Sequence, residues 1–161
     1  MKKFLSICKK DFDYWVGNDT KTKKETIFSI KKDKKPFTIL FTIDLKKGDK
    51  PNHIEFSKDG KNAYVTLANV NKTTTNSSNI AIIDTKDKAI LGYIDSHGKE
   101  SHGIWANPEG TKLYVDHIRT PELSVFDISS SNQINPKYIT NIHLGNITML
   151  SRQVLEKSPL M

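Results

Sequence analysis

A single cysteine, Cys8, stands in 161 residues, so an internal disulfide framework and a multi-cysteine metal site are both excluded. Long apolar runs are missing as well, and none approaches the roughly 18 residues that a membrane-spanning helix needs. The chain opens on Met1-Lys-Lys-Phe4 with the basic start of a signal peptide. Its apolar stretch, Phe4 to Cys8, falls short of the about 7–15 residues of an h-region, so no export signal is readable. Ile7 before Cys8 also fails the small residue expected ahead of a lipid-anchor cysteine. Several chemical signatures are absent: a Gly-rich phosphate loop, a Gly-x-Ser-x-Gly elbow and a His-Glu-x-x-His zinc motif.

Charge is present but lopsided. The net charge of +7 belongs to the first third, where residues 1–50 hold 14 lysines against 7 acids. These lysines are scattered among Asp11, Asp13, Asp19, Glu25 and Asp33, with no arginine and no aromatic interleaving. A sequence-specific nucleic-acid face clusters its basic groups, and a single-strand platform interleaves aromatics, so no specific nucleic-acid partner is expected. The lysines read as a solvated surface.

What the chain does have is a repeat. Pro51-Asn-His-Ile-Glu-Phe-Ser-Lys-Asp-Gly-Lys-Asn-Ala-Tyr-Val65 returns as Ser101-His-Gly-Ile-Trp-Ala-Asn-Pro-Glu-Gly-Thr-Lys-Leu-Tyr-Val115. Ile54/Ile104, Gly60/Gly110, Tyr64/Tyr114 and Val65/Val115 each match at a spacing of 50 residues, and Tyr14-Trp-Val16 echoes the motif 50 residues upstream. A fixed period of this length is the mark of a solenoid, propeller or array. Short β-like runs separated by turn residues accompany it, and no helix is convincing before the tail.

The repeat divides the chain. Residues 1–13 stay unassigned, and 14–145 carry propeller repeats: a partial unit at 14–45 and whole units at 50–94 and 101–144. Residues 146–161 lose the pattern and form an irregular tail. Asp59-Gly60 and Glu109-Gly110 are structural turns between the first two strands of each unit, where glycine takes positive φ without a Cβ clash. The polar stretch Thr73–Ser78 reads as an exposed insertion. Each unit predicts four antiparallel strands, which is one propeller blade; a sandwich would need no such self-similarity. The expected fold is therefore all-β, a partial propeller of about two and three-quarter blades in an open ring. Closed rings hold about 4–8 blades, so the chain is expected to be a fragment of a longer propeller, completed by missing blades or by self-association.

The motif Pro51-x-His-Ile-x-Phe-Ser-x-Asp-Gly-Lys-x-Ala-Tyr-Val65, followed by Ile80-Ala-Ile-Ile-Asp84, resembles the YVTN-type β-propeller repeat of prokaryotic surface-layer and exported proteins. That family is related to the propellers of cytochrome d1 and nitrous-oxide reductase. Tyr-Val-Thr-Asn itself survives only as Tyr64-Val-Thr-Leu and Tyr114-Val-Asp-His. The resemblance implies an exported or cell-surface setting and a non-catalytic binding scaffold. It leaves two alternatives: a propeller lactonase, whose repeat also reads Pro-x-His-Ile-x-Phe-x-x-Asp-Gly, and a metal- or haem-associated redox propeller.

Strand connectivity puts the histidines at one end of the sheets. His53 and His102 open inner strands, His97 precedes one, His117 ends a second strand, and His143 nears the end of a fourth. His53, His97, His102 and His117 are the candidate ligand face, with His53 and His102 as candidate ligands for a divalent metal; no cofactor is otherwise predicted. Asp84 and Asp127 occupy matching places in separate blades and read as turn caps rather than an acid/base pair. Trp15 and Trp105 are expected to pack between blades.

Overall fold

The computed structural model describes residues 5–9, 12–19, 24–31, 39–45, 50–68 and 79–145, with side chains from residue 42 onward. It is all-β, with twelve strands in three four-stranded antiparallel sheets. The first holds β1 (Leu5–Lys9), β2 (Phe12–Asp19), β3 (Lys24–Lys31) and β4 (Ile39–Asp44). The second holds β5 (Pro51–Phe56), β6 (Asn62–Leu67), β7 (Asn79–Asp84) and β8 (Ala89–Asp95). The third holds β9 (Ser101–Ala106), β10 (Lys112–His117), β11 (Glu122–Asp127) and β12 (Lys137–His143). In each sheet the strands lie in sequence order, the meander of a propeller blade.

One strand differs from the sequence expectation. Residues 1–13 are unassigned by periodicity, yet Leu5–Lys9 pairs with Val16 back to Phe12 and completes the first sheet. Five residues are too few to register as a period, and the strand exists because β2 offers it a ladder. The insertion 73–78 and the tail 146–161 lie outside the described residues.

The three sheets share a detail that motif matching does not show. Between the third and fourth strands the register slips at Ser29/Ile30, at Ile82/Ile83 and at Val125/Phe126. Between the first and second strands it slips at Pro51/Ile54 and at Val115/His117. A bulge leaves ladder groups unpaired and turns the strand, a device found beside functional sites. His53 lies within the slip of β5, and His102 lies within that of β9.

Two cores lie between the sheets. Ile43 of β4 packs against Ile54, Phe56, Ala63, Val65 and Leu67 on one face of the second sheet. Tyr64, Ile80 and Ile82 on its other face pack against Ile104, Leu113, Val115 and Phe126 of the third. Every residue of β6 is buried, odd positions in one core and even positions toward the other, because strand side chains alternate faces. Inner strands β5 and β9 pack side by side, as do β5 and β1. Trp105 lies over Gly103, whose missing side chain makes room for the indole, and is 48 % exposed on the outer face of the third sheet. The side chain of Trp15 is outside the described residues.

Candidate functional site

The turns between the first and second strands of the second and third sheets, β5–β6 and β9–β10, are built alike. Gly60 and Gly110 both have φ of +72°. Gly60 N–H bonds the Ser57 carbonyl at 2.8 Å, and Gly110 N–H bonds the Asn107 carbonyl at 2.9 Å. Asp59 Oδ1 accepts from Ser57 Oγ at 2.8 Å, a bond that holds its carboxyl below the usual range together with the Lys61 N–H. Glu109 Oε2 accepts from Asn107 Nδ2. Asp84 and Asp127 cap the β7–β8 and β11–β12 turns: Asp84 Oδ1 accepts the Lys86 and Asp87 N–H groups, and Asp127 Oδ1 that of Ser129. They are engaged with their own turns.

The opposite end of the sheets carries the histidines. His53 and His102, on adjacent inner strands, have ring centroids 5.0 Å apart at an interplanar angle of 46°. Two side chains fasten the strands at this point. Thr66, wholly buried in β6, accepts the His53 N–H at 3.1 Å and donates to the His102 carbonyl at 2.6 Å. Asn52 Nδ2 donates to the Ser101 carbonyl at 2.7 Å. Asp116, which holds the Thr66 position in the next repeat, accepts the Gly103 N–H. The slipped registers free the N–H groups of His53 and Gly103 from their ladders, and the side chains at 66 and 116 take them.

Burial first, and then the neighbouring His102, depress the pKa of His53, while Asp116 opposes them in part. His53 is therefore a neutral imidazole at neutral pH, able to accept a proton or a metal. Among the described residues no group of three or more His, Cys, Asp or Glu side chains is arranged to hold a metal ion.

The other two candidates stand apart from this pair. His117 turns inward at the end of β10, with its Nε2 2.9 Å from Ser124 Oγ and its ring flat against Gly98. Its Nδ1 is buried without a hydrogen-bond partner, and burial drives its pKa down. A Ser–His contact invites comparison with a hydrolytic dyad, but Ser124 has no exposed surface and cannot meet a substrate. His97 has the left-handed backbone of φ +58° and stacks on Tyr138 at 3.7 Å and 23°. His97 N–H bonds Asp95 Oδ1, and its carbonyl accepts from Asn141. His143 pairs in register with Glu122 on the outer strand.

Thr66, Asn52 and Asp116 are the site residues that the sequence reading missed. Thr66 and Asp116 share a place in the repeat, directly after Tyr-Val, and that shared place was the available signal.

No protein-family model matches the chain, and no curated protein does. Solved structures do. One protein of Bacteroides fragilis, assigned as a 6-phosphogluconolactonase, aligns with a TM-score of 0.65 at 17 % identity, over 88 % of this chain and 38 % of that one. The periplasmic gluconolactonase of Pseudomonas aeruginosa gives 0.62 at 15 %, over 89 % and 39 %. Hydrazine synthase of Kuenenia stuttgartiensis gives 0.63 at 11 %, over 83 % and 47 %. The chain thus spans less than half the length of these proteins. Likeness at this identity shows the fold, and the fold is three blades of the β-propeller type. The expected non-catalytic scaffold is corrected at this point: the solved structures that share the fold include lactonases, which are hydrolytic enzymes. Among the described residues no helix is long and apolar enough to cross a membrane.

Proposed function

We propose that this chain supplies part of the active site of a sugar-lactone hydrolase, with the His53–His102 pair at its centre. The observation that carries the reading is a neutral imidazole, His53, held within 5.0 Å of a second one by Thr66 at the end of two inner strands. Inner-strand ends of a propeller border its central channel, where small ligands have room. The likeness to gluconolactonases supplies the substrate class.

Lactone opening requires little more than such a pair. His53 takes a proton from water as the water oxygen bonds to the lactone carbonyl carbon. The negative charge on the carbonyl oxygen is met by hydrogen-bond donation, the task assigned to His102. The carbon–oxygen bond of the ring then breaks, and its oxygen takes the proton back from the His53 imidazolium. The product is the open hydroxy acid. Because the chain spans under half of the lactonases it resembles, further blades are part of this reading. The YVTN-type repeat is a compatible assignment that rests on residues 51–65 and 101–115; its surface-layer and cytochrome d1 associations are not needed.

The test is hydrolysis of glucono-δ-lactone followed by pH-stat on the full chain, alone and at concentrations where it self-associates. The expected result is turnover above the spontaneous rate that is lost in His53→Ala and declines as pH falls through the depressed His53 pKa. Spontaneous rates at every concentration, or equal rates for parent and His53→Ala, would overturn it.

A further inference from the structure

Residues 96–100 connect β8 to β9 and so join the second sheet to the third. Their backbone has an uncommon shape. His97 and Glu100 both have φ of +58°, the left-handed region that residues with a Cβ seldom occupy. Ser96 and Gly98 are buried, and His97 between them is exposed. The connector closes on itself where Ser101 Oγ donates to Ser96 Oγ at 2.7 Å and Ser96 Oγ to the Gly98 carbonyl at 3.3 Å. It leads straight into the histidine site, since Ser101 precedes His102 and its carbonyl accepts from Asn52.

The seat of this connector is His117. Its imidazole lies so close to Gly98 that a Cβ on that residue would overlap the ring. Nε2 stands 2.9 Å from Ser124 Oγ, while Nδ1 is buried with no partner among the described residues. Asn141 Oδ1 is likewise buried without a partner, and it too borders the connector, because Asn141 Nδ2 donates to the His97 carbonyl at 3.1 Å.

A neutral imidazole can keep one bare nitrogen. An imidazolium carries N–H on both, and the second would be a charged donor sealed away without an acceptor. Burial is the largest influence on the ring and drives its pKa down. Asp116 on its own strand, Glu122 on β11 and Asp95 at the end of β8 oppose burial, and His97 in the connector adds to it. Glu100 is ion-paired with Arg119, and His143 of β12 stands opposite Glu122. The three carboxylates would welcome the charge once Nδ1 reached water. What covers the ring at Gly98 is the connector, and its two left-handed residues shed their backbone cost when it moves.

From this arrangement we infer that His117 is a pH-sensitive latch. Neutral, it seats the connector 96–100 and fixes the start of β9, where His102 faces His53. Protonated, it lifts the connector and loosens the place of His102. The inference holds for any chemistry at that pair and does not depend on lactone turnover.

Amide exchange on the full chain, corrected for the intrinsic effect of pH, reads the latch directly. The reporters are Lys99 N–H, bonded to Thr120 Oγ1, and Ile118 N–H, bonded to the Glu100 carbonyl. Their protection should fall by up to about tenfold per pH unit below about pH 6.5, the limit for one proton taken up on opening. Val65 in β6 should keep its protection. His117→Gln retains a donor for Ser124 and has no titrating nitrogen, so its protection should stay level with pH. Gly98→Ala pushes the connector off the ring. It should show low protection at every pH and displaced His102 ring resonances in NMR spectra at neutral pH. If the glutamine variant does not fold, the parent and Gly98→Ala still decide. Level protection in the parent, an equal fall at Val65, or the same fall in His117→Gln would each overturn the inference. So would protection that rises as pH falls, which would mean that Nδ1–H has found Asn141 Oδ1, or His102 resonances unmoved by Gly98→Ala.

Discussion

The hydroxyl of Tyr64 donates to the carbonyl of Gln133 at 3.0 Å, joining the second strand of one blade to a loop 69 residues further on in the next. The ring lies in the core between the two blades, and burial raises its hydroxyl pKa well beyond the ordinary value. Tyr64→Phe keeps the ring and removes only this bond, leaving a carbonyl without its donor. It should cost about 1–2 kcal/mol of stability, read from urea unfolding. An unchanged midpoint would show that water replaces the phenol at no cost.

Thr66 performs the equivalent task at the histidine end. Thr66→Val preserves shape but withdraws both the acceptor for His53 N–H and the donor to the His102 carbonyl. A loss of about 1–3 kcal/mol is expected, since two part-buried backbone groups lose their partner. Imidazole resonances of both histidines should shift in NMR spectra, whereas those of His97 should not. Unmoved His53 and His102 resonances would mean that the strands hold the rings without help.

Gly110 is the site where backbone and packing demand the same residue. Its φ of +72° disfavours any side chain, and a Cβ there would stand 2.5 Å from Lys58 Cβ in the adjacent blade's turn. Gly110→Ala should cost at least about 1–2 kcal/mol for the left-handed backbone alone. Gly60→Val should suffer a comparable backbone penalty. A thermal melt equal to the parent for either variant would show that the turn relaxes to another geometry.

Stability should fall on mild acidification. His53 and His117 both have pKa values depressed below the unfolded value of about 6.5, chiefly by burial. Below that pH the unfolded chain takes up protons that the folded one refuses, so stability present above about pH 6.5 is lost as pH falls toward the folded values. Asp59 and Asp127 are shifted downward too, by bonds from Ser57 and the Ser129 N–H, but their effect belongs below about pH 4. Urea midpoints taken between about pH 7.5 and 5.5 should decline, and His117→Gln should flatten the decline. The same slope in parent and variant would remove His117 from the account.

The blades were legible in the sequence because side chains that face two cores must repeat with the fold. Tyr64/Tyr114 and Gly60/Gly110 mark the same places in successive sheets. β1 was not legible, since Leu5-Ser-Ile-Cys-Lys9 alternates over too short a span to stand out. The end of the sheet that holds the histidines followed from connectivity alone. Their pairing did not. Spacing of 49 residues between His53 and His102 says nothing of 5.0 Å across two blades, and the bulges that expose their strands leave no mark in composition. The inward turn of His117 was equally hidden, because it depends on Gly98, a residue from another strand's approach.

β6 is a party wall. Val65 and Leu67 belong to one core and Tyr64 to the next, with one strand of backbone between them. A change of side-chain volume on either side shifts the strand against the other, so neighbouring substitutions there should not act independently. The array would consequently unravel as one cooperative unit from this strand outward, and its amides should exchange with solvent only when all three blades let go together.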